Sequence, residues 1–141
     1  MDQSRLEINF ELLNDKVQFR AVSATNPERP LQCDYLAPVG DGDGFRGLEL
    51  LVMSFGNCAA TGIVGILRRM QKHPVSFRAQ VTGEKSEQPL ALQRIAMEVQ
   101  VACPELTAEE MDRALKLAEG ICPVWNAIKG NVAVDVNYSL V

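Results

Sequence analysis

The feature that most constrains this chain is a long apolar segment near its middle, at residues 47–72. Over its first two-thirds, apolar side chains fall on all sides of a helix, so protein or lipid has to enclose it. By length the segment is able to span a bilayer, for which about 20 residues are enough. Polar residues interrupt it at Glu49, Ser54, Asn57 and Thr61, and strand patterns flank it. We therefore expect the covered central helix of a soluble protein, with no membrane contact.

Strand patterns precede and follow this segment. Apolar and polar residues alternate at 6–12 and 17–22, with a turn at Asn14-Asp15 between them, which predicts a β-hairpin. A weaker strand pattern at 31–36 precedes a glycine-rich acidic loop at 38–44. The further predicted elements are strands at residues 75–82, 90–102 and 132–138, with a polar connector at residues 83–89.

Two shorter helices are predicted before the last strand. The capping-box pattern Thr107-x-x-Glu110 starts a helix that we expect to stop at Gly120. Pro123 then opens a short helix and Gly130 closes it, because proline is well tolerated at a first helical position and glycine at a C-terminal cap.

The predicted element order is ββ(β)-α-ββ-α-(short α)-β. Antiparallel hairpins separated by helices indicate an α+β fold rather than a doubly wound α/β fold. The length suits a single domain over residues 1–141. Such a chain has too little sheet to cover an apolar helix on more than one side, so we expect a homodimer to supply the rest.

The charge and the cysteine spacing argue against a nucleic-acid-binding site and a metal site. The net charge of −4 comes with no basic run, so the chain lacks the electrostatic footprint of a nucleic-acid-binding protein. The four cysteines, at positions 33, 58, 103 and 122, form no C-x-x-C pair, and His73 is the single histidine. This pattern disfavours a metal site.

The N-terminal residues 1–7 include early acids and no apolar stretch, so they do not form a secretory signal. We therefore expect a cytoplasmic protein. In that reducing compartment a permanent disulfide framework is not expected, although individual cysteines can still be reactive.

Cys58 is a candidate reactive residue inside the apolar helix. Its alternative interpretation is a buried structural cysteine, because free cysteine is among the most buried residue types. The small neighbours Gly56, Ala59 and Ala60 are expected to leave space around the thiol. Glycine in a helix costs about 1 kcal/mol relative to alanine, so its presence there favours a functional reason.

Cys122 is the second candidate, because it precedes Pro123 at the start of the short helix. Unpaired N–H groups and the helix dipole favour a thiolate there, so we expect Cys122 to be the more acidic thiol. The alternative is a small residue that merely caps the helix. Cys33, in a predicted strand, and Cys103, at a strand end, are interpreted as structural.

Two segments resemble motifs of the OsmC/Ohr superfamily. Residues 49–61 read ELLVMSFGNCAAT and resemble the family pattern E-L-L-(x)n-G-x-C-x-A, while residues 120–128 read GICPVWNAI and resemble C-P-V-x-x-x-(L/I). Each motif is moderately specific by itself. The two in this order, followed by a terminal strand and with an element order that matches over nearly the whole chain, form a specific combination.

The resemblance implies an OsmC-like fold, in which antiparallel sheets wrap around long central helices of an intertwined homodimer with active sites at the interface. It also implies that Cys58 is the peroxidatic cysteine, which attacks the O–O bond of an organic hydroperoxide and becomes a sulfenic acid. Cys122 is then the resolving cysteine, which captures it as a disulfide. A dithiol reductant would complete the cycle, with no metal or organic cofactor.

The sequence departs from the best-characterised hydroperoxidases near these motifs. Their catalytic glutamate precedes the peroxidatic cysteine by ten residues, whereas Glu49 precedes Cys58 by nine, a rotation of about 180° on a straight helix. Glu49 would then act across the dimer or through a helix bend. Their arginine has only unaligned candidates here, namely Arg20, Arg29 and Arg46. The central segment is more similar to a less-characterised OsmC-like branch represented by YhfA.

A second function fits the same fold. The chain would then be a non-catalytic OsmC-like protein that binds a small hydrophobic ligand at the dimer interface, with incidental cysteines. The catalytic alternative predicts that mild oxidation joins Cys58 to Cys122 within one chain and leaves Cys33 and Cys103 reduced.

Overall fold

The computed structural model describes residues 4–141, so the first three residues used to interpret the N-terminus lie outside this part of the chain. The chain divides into two compact units, which meet in sequence between Leu50 and Leu51. The single domain over residues 1–141 stays a prediction.

The first unit contains a three-stranded antiparallel sheet in the order β1-β2-β3. The strands are β1 (Ile8–Leu12), β2 (Phe19–Ser23) and β3 (Leu31–Cys33). The predicted hairpin is confirmed, with Ile8 opposite Ser23 and Leu12 opposite Phe19. The third strand is shorter than predicted, because the chain turns away at the next residue.

That turn is organised by Asp34, whose side chain is 5% exposed. Its carboxylate accepts hydrogen bonds from the backbone N–H groups of Tyr35 at 2.7 Å, Asp43 at 3.0 Å and Asp41 at 3.2 Å. These bonds, that of Asp43 first, lower the pKa of the Asp34 carboxyl. Gly40 packs so closely on Asp34 and Tyr35 that no side chain fits there. The acidic loop is thus an ordered turn around one carboxylate.

Helix α1 (Gly47–Arg69) confirms the predicted central helix. It packs on the sheet of the second unit, since a Cβ at Gly83 would lie 2.7 Å from Val52 Cγ2 and one at Gly56 would lie 3.0 Å from Val81 Cγ2. By length and composition alone it is also able to cross a membrane, and only 28% of its most apolar stretch is buried in this chain. Its buried residues are Phe55, Ala59, Ile63, Ile66 and Leu67.

The sheet of the second unit has the order β4-β5-β6, with β4 (Ser76–Glu87) antiparallel to β5 (Leu90–Ala102). The connector predicted at residues 83–89 is wrong, because the strand continues to Glu87 and only two residues form the turn. Polar contacts hold this end of the hairpin. Ser86 Oγ donates to the carbonyl of Pro89 at 2.7 Å.

The last strand, β6 (Ala133–Leu140), pairs with β5 in parallel. The other strand pairs are antiparallel as expected, and this pair differs from that expectation. The cause is the crossover of α2 (Ala108–Ile121) and α3 (Pro123–Ile128) between the two strands, since parallel neighbours need such a long connection. The α+β class with two small sheets and a central helix is confirmed.

Helix α2 begins at the predicted capping box. Glu110 N donates to Thr107 Oγ1 at 3.1 Å and Thr107 N donates to Glu110 Oε2 at 3.0 Å. The predicted stop at Gly120 is wrong, because the helix continues to Ile121 and Cys122 caps it. Proline disfavours the helical conformation of the residue before it, so Pro123 moves the break to position 122.

Candidate active site

A cavity of about 460 Å³ lies in the second unit, between α1 and the junction of α2 with α3. Both candidate cysteines line it, although they are far apart in sequence. The lining residues are Ser54, Asn57, Cys58, Thr61, Gly62, Ile121, Cys122, Pro123 and Val124. Its mouth is open to solvent, because Asn57, Thr61 and Ile121 are exposed.

The two thiols are neighbours in this cavity. Cys58 is half-buried on α1, whereas Cys122 is 2% exposed at the α2–α3 junction. Interaction with Cys58 helps to raise the pKa of Cys122, as expected for two thiols that line the same cavity. All four cysteines are free thiols in this structure. The arrangement places a partly accessible thiol beside a buried one.

The capping position of Cys122 fixes its sulfur. Its Sγ accepts a hydrogen bond from Trp125 N at 3.3 Å, while its own N–H donates to the carbonyl of Ala118 at 3.0 Å. Burial raises the pKa of Cys122, and the hydrogen bond and charge of Cys58 raise it further; hydrogen bonds from the backbone of Trp125 and Val124 oppose this rise. The expectation of an acidic Cys122 is therefore wrong. The helix-start effect exists, but burial and the second thiol outweigh it.

Two contacts between helices flank the thiols. On one side, the rings of Phe55 and Trp125 meet edge to face with centroids 5.4 Å apart. On the other side, a Cβ built on Gly62 would lie 3.5 Å from Ala118 Cβ. Phe55 precedes Cys58 by three residues and Gly62 follows it by four, so both contacts lie within one helical turn of the thiol.

The glycine that matters for space at Cys58 is not the one that the sequence suggested. A Cβ at Gly56 would meet Val81 on β4, so Gly56 allows α1 to approach the sheet. Ala59 is fully buried and lies outside the cavity lining. Gly62 lines the cavity and was missed. Its spacing of one turn from Cys58 within an apolar helix was the available signal.

The lining of the cavity is uncharged. Among the nine residues that form it within the described chain, none is acidic, basic or histidine. The hydroxyl of Ser54 donates to the carbonyl of Leu51 at 2.8 Å, and that of Thr61 donates to the carbonyl of Asn57 at 2.7 Å. These hydroxyls are thus engaged by the helix itself, which leaves the thiols as the reactive groups of the cavity.

Glu49, the third candidate residue, lies in the first turn of α1. Its carboxylate accepts hydrogen bonds from Arg46 N at 3.0 Å and Arg46 Nε at 3.2 Å, and these bonds lower the pKa of the Glu49 carboxyl. Arg20 forms an ion pair with Glu11 at 2.8 Å. Two of the three candidate arginines are thus paired with carboxylates of their own unit. A catalytic role for Glu49 stays a prediction.

The remaining cysteines have different surroundings. Cys33 ends β3, and burial raises the pKa of its thiol. Cys103 follows β5 and its sulfur lies 3.9 Å from the carbonyl of Pro104. Across residues 4–141, no cluster of histidine, cysteine or acidic side chains has an arrangement that would hold a metal ion.

Known proteins resemble this chain in sequence pattern and in fold. A sequence model of a family described as OsmC-like protein matches residues 40–137, a range that includes both cavity cysteines. Comparison with curated proteins found no match.

Solved structures share the fold at low sequence identity. An OsmC-like protein from Mycoplasma pneumoniae has a TM-score of 0.83 at 20% identity, over 100% of this chain and 99% of that one. A Legionella pneumophila protein described as an organic hydroperoxide resistance protein OsmC has a TM-score of 0.77 at 15% identity, over 99% of both chains. OhrB of Bacillus subtilis, an organic hydroperoxide resistance protein, has a TM-score of 0.63 at 15% identity, over 96% of this chain and 98% of that one.

Proposed function

Because this chain belongs to the OsmC-like protein family, we propose that it reduces organic hydroperoxides with Cys58 and Cys122 and takes electrons from a dithiol. The observation that carries this proposal is the meeting of the two thiols in one cavity. The family supports a redox or stress role, and the Legionella pneumophila and Bacillus subtilis structures with this fold are described as organic hydroperoxide resistance proteins.

In the first step, the thiolate of Cys58 attacks the terminal oxygen of the hydroperoxide. A sulfur–oxygen bond forms, the O–O bond breaks, and the alkoxide leaves and takes up a proton to give the alcohol. The sulfur is oxidised to a sulfenic acid while the peroxide is reduced. The half-buried position of Cys58 gives the oxidant access to the sulfur through the mouth of the cavity.

In the second step, the thiolate of Cys122 attacks the sulfenic sulfur of Cys58. A disulfide forms and the sulfenic hydroxyl leaves as water with the proton that Cys122 has released. An external dithiol then reduces the disulfide by two exchange steps and is itself oxidised to a disulfide. No metal or organic cofactor takes part in this scheme, and we place it in the reducing cytoplasm, where such donors are kept reduced.

The uncharged lining contains no side chain that would stabilise a thiolate at Cys58 by charge. A cation that stabilises the thiolate has to come from outside these nine residues. We propose that an arginine of a partner subunit supplies it and that Glu49 acts across the same dimer. This arrangement would agree with the spacing of nine residues, which turns Glu49 away from Cys58 on its own helix.

The direct test is substrate consumption by the purified protein with a dithiol donor. We expect faster consumption of an organic hydroperoxide, such as cumene hydroperoxide, than of hydrogen peroxide, because apolar side chains of Ile121, Pro123 and Val124 line the cavity beside Cys58. Stopped-flow measurement under matched concentrations gives both rates. Protein that consumes neither oxidant faster than the donor alone would contradict the proposed function.

A homodimer is part of the proposal, because α1 is apolar and largely uncovered within this chain. Apolar side chains of α1 and α2 are exposed as well, including Ile121 of the cavity lining at 59%, Leu117 at 50% and Met53 at 44%. Light scattering should therefore give about twice the chain mass of 15.5 kDa at micromolar concentration, and the thermal midpoint should rise with protein concentration. A mass of 15.5 kDa would contradict the dimer.

The uncharged cavity also favours the alternative of a protein that binds a small hydrophobic ligand. Native mass spectrometry of freshly purified protein separates the two functions. A co-purifying ligand together with inert thiols would favour binding, whereas an apo mass together with hydroperoxide consumption would favour catalysis.

A further inference from the structure

The structure links the separation of the two thiols to one close approach of α1 and α2. The position of a Cβ on Gly62 lies 3.5 Å from Ala118 Cβ and 3.8 Å from Ala118 Cα. Gly62 follows Cys58 by one turn, and Ala118 precedes Cys122 by one turn and accepts its N–H at 3.0 Å. A change in the distance between α1 and α2 at this contact therefore changes the distance between the two thiols.

The opposite side of the thiol pair is held by aromatic packing. Trp125 and Phe55 are in ring contact, both are buried, and Trp125 N donates to Cys122 Sγ. The ring contact holds α3 against α1 near Phe55. A larger side chain at Gly62 would therefore separate α1 from α2 at Ala118. A methyl group would make an ordinary contact with Ala118, whereas the γ-methyls of valine extend beyond it and would push the helices apart.

Even a small separation of the helices matters for disulfide formation. The two Cβ atoms of a disulfide lie about 3.5–4.5 Å apart, so a shift of about 1 Å moves a well-placed pair to the limit of this range. We propose that Gly62 is a positioning residue, whose missing side chain brings Cys122 within reach of oxidised Cys58. This inference rests on the proposed function for its biological role, while the pairing of the thiols is measurable independently.

The experiment measures the stability of the 58–122 disulfide in buffers of reduced and oxidised dithiothreitol. Two electrons and two protons pass from the protein dithiol to oxidised dithiothreitol, so no hydroperoxide is needed. At equilibrium, the ratio of disulfide to dithiol protein, combined with the ratio of reduced to oxidised dithiothreitol, gives the effective concentration of one thiol at the other. Gly62→Val should lower this value on the order of tenfold or more, Gly62→Ser a few-fold, and Gly62→Ala very little.

The matched control is Gly65→Val on the same helix. Within this chain Gly65 is exposed and a Cβ there would meet no atom within 4 Å. A Gly65→Val protein with the wild-type mass in light scattering should therefore keep the effective concentration within about twofold of the wild-type value. Adding Ala118→Gly to Gly62→Val removes the nearest neighbour of the new side chain and should recover most of the loss. Rescue of this kind distinguishes positioning from a general loss of stability.

A graded fall from alanine to serine to valine, with rescue by Ala118→Gly, supports the proposal, and the serine variant carries the test if the valine variant does not fold. Equal values for Gly62→Val and Gly65→Val, or a wild-type pair that forms no disulfide, would overturn it. If the effective concentration depends on Gly62 but the protein consumes no hydroperoxide, the positioning role stands and the proposed function is rejected.

Discussion

Replacing Cys58 with serine is expected to reduce hydroperoxide consumption to the uncatalysed background, a loss of roughly 10³-fold or more, as when the nucleophile of a covalent mechanism is removed. A serine hydroxyl has no ready anionic form at neutral pH and does not attack the O–O bond. The fold should be retained, because Cys58 is half-buried at the cavity and serine is of nearly the same size. Stopped-flow kinetics with a dithiol donor measure the effect.

Cys103→Ser is the matched control for this substitution. Cys103 is also a half-buried free thiol of the second unit, but it lies outside the cavity lining. We expect its replacement to leave consumption within about twofold of the wild-type rate. Equal losses in the two variants would mean that thiol removal acts through stability, and retained activity in Cys58→Ser would reject Cys58 as the peroxidatic residue.

Much of the fold was predictable because local patterns determine it. The capping box at Thr107 and Glu110 marks the start of α2 in sequence and in structure. The direction of β6 was not predictable in the same way, since it depends on where the α2–α3 crossover returns the chain. The polar end of β4 was read as a loop because cross-strand partners, such as Arg94 opposite Glu84, are not visible in a local pattern.

In the candidate site as well, local motifs were predictive, whereas properties that depend on tertiary packing were not. The two cysteine motifs led to Cys58 and Cys122, and the structure brings these residues into one cavity. The acidity of Cys122 was predicted wrongly, because a helix-start pattern is local whereas the burial that raises the pKa of Cys122 depends on tertiary packing. Gly62 was missed for a related reason. A glycine in an apolar helix has many explanations until its partner Ala118 is known.

The second large effect concerns Cys122. Cys122→Ser should retain the first reaction with hydroperoxide but lose steady-state turnover with a dithiol donor, by roughly 10²-fold or more, because the sulfenic acid on Cys58 has no internal thiol to capture it. Dimedone labelling followed by mass spectrometry should detect the sulfenic acid at position 58. Unchanged turnover in this variant would show that the external donor reduces the sulfenic acid directly.

The rate of the internal capture should also depend on pH in a defined direction. Burial is the largest cause of the raised pKa of Cys122, and it persists after Cys58 has become a sulfenic acid. Because the thiolate is the attacking form, its small fraction at neutral pH should grow about tenfold per pH unit until the raised pKa is reached. Fluorescence of Trp125, the single tryptophan, is a suitable readout, since the residue lies next to the reacting sulfur and its backbone N–H donates to Cys122 Sγ.

Peptide mapping identifies which thiols form the disulfide. Trypsin separates the four cysteines into different peptides, because basic residues lie between them along the chain. One equivalent of organic hydroperoxide, without prior reduction, should link the peptides that contain Cys58 and Cys122 and leave Cys33 and Cys103 available for alkylation. The neighbouring positions of Cys58 and Cys122 favour this pair over any other. A free Cys58, or a bridge that uses Cys33 or Cys103, would reject the two-cysteine mechanism, while the family and the fold would stand unchanged.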